Sequence, residues 1–221
     1  MTPTHVFFVP SVFFLGFFVG GVFSRAIGRT QSSNHHDVDK AKTLKAVSAI
    51  ALGISLVAAI STFAATHMVP LLGGVKALGS ALGGQRIFDQ HASFTSAEVY
   101  ARLDAFGPVG REMYQHFTYS ADVLFPLTLL AFLFLLAKFV GERTSLGAII
   151  RKAMTAVPIV WFSTDMLENA MVYKLLTQYP KENVFIGDVL GTVTIIKFAL
   201  LLSSIAIPAI ASVLFRYRKI G

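Results

Sequence analysis

Trp161-Phe162-Ser163-Thr164-Asp165-Met166-Leu167-Glu168-Asn169-Ala170-Met171-Val172-Tyr173 sets two acids and an amide inside a hydrophobic segment. On a helix, positions three and four apart share a face, so Asp165, Glu168 and Asn169 crowd one side. A charge near a bilayer centre costs on the order of 3 kcal/mol or more, so such a helix needs a partner of opposite sign. The next hydrophobic segment, 187–215, carries a single internal charge, Lys197. Counting inward from Leu176 and Ile186 across the short connection, Asp165 and Lys197 each lie eleven residues deep. At ~1.5 Å per residue that is roughly 16 Å, the same level on both helices. The expected intramembrane polar cluster is Asp165, Glu168, Asn169 and Lys197, with Asp122, Tyr173 and Thr194. Two acids facing one lysine leave a surplus charge that a shared proton would relieve.

Composition sets the class. Hydrophobic residues make up 54% and charged residues 14%, mean hydropathy is +0.65, and the apolar residues come in runs of about 20, the length of a membrane-crossing helix. The fold class predicted is an all-α polytopic bundle with five transmembrane helices, placed in the bacterial cytoplasmic membrane. The net charge of +7 does not imply nucleic acid, because the basic residues sit in loops beside apolar spans. With no cysteine there is no disulfide framework, thiolate nucleophile or cysteine-held metal.

Residues 1–23 hold a Phe-rich run followed, not preceded, by Arg25 and Arg29, which predicts an uncleaved anchor with its N-terminus outside. Gly16 and Gly20 form a Gly-x-x-x-Gly pair that admits a second helix closely. Residues 24–45 read as a basic cytoplasmic linker, with His35-His36 in a solvated loop. The four-helix membrane domain then covers 46–215. In its first helix Ser48, Ser55 and Thr62 recur every seven residues, beside Ala51, Ala58 and Ala59, and should face other helices.

The outer loop, 67–118, is studded with glycines and has room for a short interfacial piece. Within it Thr95-Ser96-Ala97-Glu98 is a capping box, Val99, Leu103 and Phe106 form an apolar stripe, and Gly107-Pro108 stops the helix. This predicts an amphipathic helix on the outer membrane surface, with Arg102 on its more exposed side. The next span runs from about Phe117 to Val140, mildly kinked because Pro126 cannot donate to the Asp122 carbonyl. Residues 216–221 form a basic tail. Lys and Arg number twelve on the side of the linker, the 138–152 turn and the tail, against six on the other. Positive-inside then puts the N-terminus outside and the C-terminus in the cytoplasm.

Glu98-Val99, Leu103, Gly107, Gly110-Arg111, Tyr114, Asp122, Pro126, Asp165-x-x-Glu168-Asn169 and the lysine of the last span together resemble a group of bacterial four-helix integral membrane proteins without an assigned activity. The resemblance covers roughly residues 46–215. It implies the architecture and the importance of the acidic helix, and no function. Three roles fit: a scaffold or complex subunit registered by the cluster, a proton-linked carrier or channel, and an enzyme on a lipophilic substrate with Asp165 or Glu168 as base. The last lacks any accompanying Gly-x-Ser-x-Gly, His-Glu-x-x-His or phosphate loop. His35-His36 with Asp37 and Asp39 could ligate a metal only if a fold held these neighbours together, and His67, His91 and His116 with Met68 and Met113 could converge on copper or zinc; ordinary hydrogen bonding is the expected role of both sets, and no cofactor is expected. The expected partners are the bilayer and a homo-oligomer or larger membrane complex.

Overall fold

The computed structural model describes residues 36–68 and 74–218, with side chains over 48–68 and 74–214. The expected first span with Gly16 and Gly20, the linker before His36 and the end of the tail lie outside them. The described residues form helices α1 (His36–Met68), α2 (Val75–Ala81), α3 (Ser96–Ala105), α4 (Gly107–Thr118), α5 (Ala121–Arg143), α6 (Ala148–Gln178) and α7 (Val184–Arg218), plus a 3-10 turn at Phe88–Gln90. No strand occurs among them. Three stretches are long and apolar enough to cross a membrane: Ser48–Met68, Gly107–Arg143 and Val184–Leu214. The long α6 is not among them, because Asp165, Glu168 and Asn169 interrupt its apolar sequence.

Several boundaries differ from expectation. Residues 36–45 are part of helix α1 rather than loop, and none of them is Gly or Pro. The small-residue stripe of α1 packs on α5, with Ser55, Ala59 and Thr66 buried and the hydroxyls of Thr62 and Thr128 2.6 Å apart. Ser48 is half-buried. The opposite face, Ile50, Ile54, Val57 and Ile60, is exposed.

The largest correction falls on the expected 67–118 loop, where the described residues from 74 to 118 form a folded cap rather than a loop with one surface helix. Leu78, Leu82, Ile87, Phe88, Val99, Leu103, Phe106, Tyr114 and Phe117 form one core with Leu175 and Leu176 of α6 and Leu190 of α7. Helices α6 and α7, of 31 and 35 residues, measure about 46 and 52 Å at ~1.5 Å per residue. Both are longer than a hydrocarbon layer of about 30 Å, and the cap covers one end of each. Fully burying each large apolar side chain gains roughly 1.5–3 kcal/mol, which makes this core the principal hold on the cap.

Local chemistry shapes the cap. Thr95 Oγ1 accepts from the Glu98 N–H at 3.2 Å, as the capping box predicts, while Glu98 Oε2 reaches back to the Phe94 N–H at 2.9 Å. Gly107 has φ +64°, a conformation that ends α3, and Pro108 then sits in the first turn of α4. Gly107-Pro108 is thus a corner between helices, and the helix that follows α4 starts at Ala121, inside the apolar stretch Gly107–Arg143. The Val99, Leu103 and Phe106 face of α3 lies in the cap core, not on a membrane surface. Close approach of α7 to the 93–96 segment needs Gly187 and Gly191. A Cβ at Gly191 would lie 2.5 Å from the Ser93 carbonyl oxygen, and one at Gly187 would lie 2.7 Å from Ser96 Cα.

Candidate functional site: a lysine among three carboxylates

Lys197 Nζ is the centre of the site. It lies 2.8 Å from Asp89 Oδ2 and 3.2 Å from Asp165 Oδ1, and it also pairs with Glu168 Oε2. The equal-depth count therefore brings Asp165 and Glu168 of α6 to Lys197 of α7, and Thr194, one turn earlier, meets Glu168 Oε1 through its hydroxyl. The lysine side chain is 2% exposed, against 0% for Glu168, 7% for Asp165 and 21% for Asp89. Three carboxylates against one ammonium give a formal surplus of two negative charges.

Asp89 is the member that sequence reasoning missed. It comes from the 3-10 turn, more than a hundred residues away along the chain, and the cap holds it in place from both sides. The Tyr114 hydroxyl accepts from the Phe88 N–H at 3.0 Å. Arg102 stacks on Phe88 with its guanidinium carbon 4.3 Å from the ring centre, and it donates to the Ser93 hydroxyl at 2.8 Å and to the carbonyls of Arg86 and His91. Arg102 therefore clips the loop before and after Asp89, where the sequence predicted an exposed side. Its signal was only an acid flanked by Phe88 and Gln90 in a glycine-rich stretch, which no helical period marks.

Asn169 does separate work. Pro126 has no N–H to give the Asp122 carbonyl, and Asn169 Nδ2 donates to that carbonyl at 3.1 Å. The proline and the buried amide are complementary. Asp122 contributes this backbone oxygen, and its carboxylate forms no ion pair with a described residue. Tyr173 lies outside the cluster; it is exposed and meets the Tyr119 ring edge to face at 6.0 Å. Trp161 Nε1 and Asp165 Oδ2 are buried without a partner among the described residues, one turn apart on α6.

Oxygens of Asp89, Asp165 and Glu168 lie within 4.8 Å of one another, a spacing that suits a cation. Lys197 supplies that cation itself, since its ammonium pairs with all three. Among the described residues, His67, His91 and His116 do not form a metal group. His67 stacks on Phe63 with centroids 4.3 Å apart, His116 bonds the Tyr119 hydroxyl, and His91 is exposed.

At the other end of the bundle Ala137, Val140 and Met154 form a second apolar cluster, joined by Leu146 and Ala211. The polar site is bounded on the cap side by the partly exposed Asp89, and the opposite end of the bundle is closed by packed apolar side chains. Comparison with known proteins found no matching family model, no matching curated protein and no matching solved structure.

Proposed function

We propose that the chain is a five-span integral membrane protein of the bacterial cytoplasmic membrane, with the cap outside and the C-terminus in the cytoplasm. Its role is that of a non-enzymatic scaffold or complex subunit. The observation that carries this reading is the simultaneous pairing of Lys197 with Asp165 and Glu168 of the bundle and Asp89 of the cap. Buried ion pairs add little net stability against an apolar alternative, but they penalise every arrangement that leaves a charge alone. The cap core supplies the binding, and the ions select one register for the cap, α6 and α7. A rigid outer cap held in one register is a docking platform for other membrane subunits.

The carrier reading has one observation in its favour, the partial exposure of Asp89 beside the otherwise buried Lys197 and Asp165. The apolar cluster of Ala137, Val140 and Met154 argues against it, because a conducting path needs polar groups at both ends.

Two measurements test the proposal. Purification in mild detergent should bring down defined membrane partners in constant ratio. A protein recovered alone, whose proteoliposomes carry an acid-dependent flux, would transfer the cluster to the carrier reading. For topology, the chain has no cysteine of its own, so single cysteines can be placed at will. Those at Thr4 and Gln90 should react with an impermeant thiol reagent in intact cells, and one at Ser33 should not.

A further inference from the structure

The second polar feature of α6 is a pocket of about 410 Å³ between α6 and the α4–α5 break. That volume falls in the range of small-molecule sites, roughly 300–1,000 Å³. Val123, Met166 and Ala170 make its apolar walls, Asn169 lies at its back, and Tyr119 and Tyr173 stand at its mouth. Both tyrosines are exposed and their rings meet edge to face, while His116 fixes the Tyr119 hydroxyl.

Asn169 is buried, at 6% exposure. Its Nδ2 is committed to the Asp122 carbonyl, whereas Oδ1 accepts from no described residue. This oxygen is not among the buried atoms left without a partner; facing a hydrocarbon environment rather than water it would lack a donor, so the pocket favours an occupant that donates a hydrogen bond at this point. None of the lining residues is charged, which gives no counter-charge for a phosphate or ammonium headgroup. A pure hydrocarbon would fill the walls and leave Oδ1 unmet.

We infer that this pocket binds a neutral lipophilic alcohol drawn from the bilayer, its hydroxyl donating to Asn169 Oδ1 and its chain lying along Val123, Met166 and Ala170. This rests on the proposed membrane placement of α5 and α6. The Tyr173 hydroxyl, bonded to no described residue, is a second partner at the mouth.

The test uses the whole protein in phosphatidylcholine vesicles with a diazirine-bearing hexadecanol as probe. After photolysis, labels should concentrate in 118–123 and 166–173, and unlabelled hexadecanol should compete them away where hexadecane does not. Ala170→Phe fills the space without touching the Asn169–Asp122 bond, and should reduce pocket labelling by about fivefold or more. Leu202 and Ile205 on the exposed face of α7 serve as internal reference, since a membrane-embedded helix takes up background label there. Equal competition by hexadecane, or pocket labelling no higher than this background, overturns the inference while leaving the membrane placement intact. Absence of background label on α7 overturns the placement and the occupant together. If Ala170→Phe does not fold, the competition pair on the unaltered protein decides alone.

Discussion

Replacing Lys197 with Met removes the only cation held by three carboxylates and leaves its volume nearly filled. Breaking a buried ion group by deleting one partner costs roughly 3–5 kcal/mol, most of it the penalty of the charges left behind. How that penalty divides among the acids follows from how much water each can recruit. Glu168 is 0% exposed, Asp165 7% and Asp89 21%. Neutralising the most enclosed acid should therefore restore most. Glu168→Gln in the Lys197→Met background should recover about 1–3 kcal/mol, the size of coupling typical of residues in contact. Asp165→Asn should recover less, and Asp89→Asn least. The assay is unfolding in mixed detergent followed by fluorescence of Trp161, the chain's single tryptophan, which lies one turn from Asp165. Strictly additive losses in all three double mutants, or the largest rescue from Asp89→Asn, would refute the claim that these ions act as one buried group.

Three further outcomes follow from close contacts elsewhere. Gly191→Ala drives a methyl group into the Ser93 carbonyl and should loosen the cap by about 1–3 kcal/mol, seen as faster proteolysis within 69–106; Gly53→Ala, with open space around it, should be neutral. Asn169→Leu orphans the Asp122 carbonyl and should cost about 1–3 kcal/mol; adding Pro126→Ala gives that carbonyl an intrahelical donor and should recover part of the loss, and no recovery would refute the complementarity. Leu103→Asp buries a charge in the cap core and should prevent cap folding, while Arg102→Asp should free the 86–93 loop and lower thermal stability almost as much, in contrast to the mild effect an exposed arginine would give.

Much of the membrane architecture was legible because it follows from local rules. Long apolar runs mark helices of membrane length, the Thr95–Glu98 box marks a helix start, and the absent N–H of Pro126 marks an unpaired carbonyl at Asp122. Equal counting along two helices joined by a short turn sufficed to align Lys197 with Asp165, since rise per residue is constant. Arg102 and Tyr173 were misplaced because helical spacing fixes a side chain's direction but not what the rest of the chain folds against it.

The sequence by itself determined the helical class, the level at which α6 and α7 carry charge, and that the Asp122 carbonyl of α5 lacks the N–H of Pro126. Only the tertiary structure decided that residues 74–118 build a cap, that Arg102 and Tyr114 hold the turn bearing Asp89, and that Lys197 faces three acids rather than two. The physical reason is range. Propensity, periodicity and capping act over a few residues and can be read in order along the chain. Asp89 and Lys197 meet across more than a hundred residues, brought together by apolar burial that specifies no partner until every element is in place.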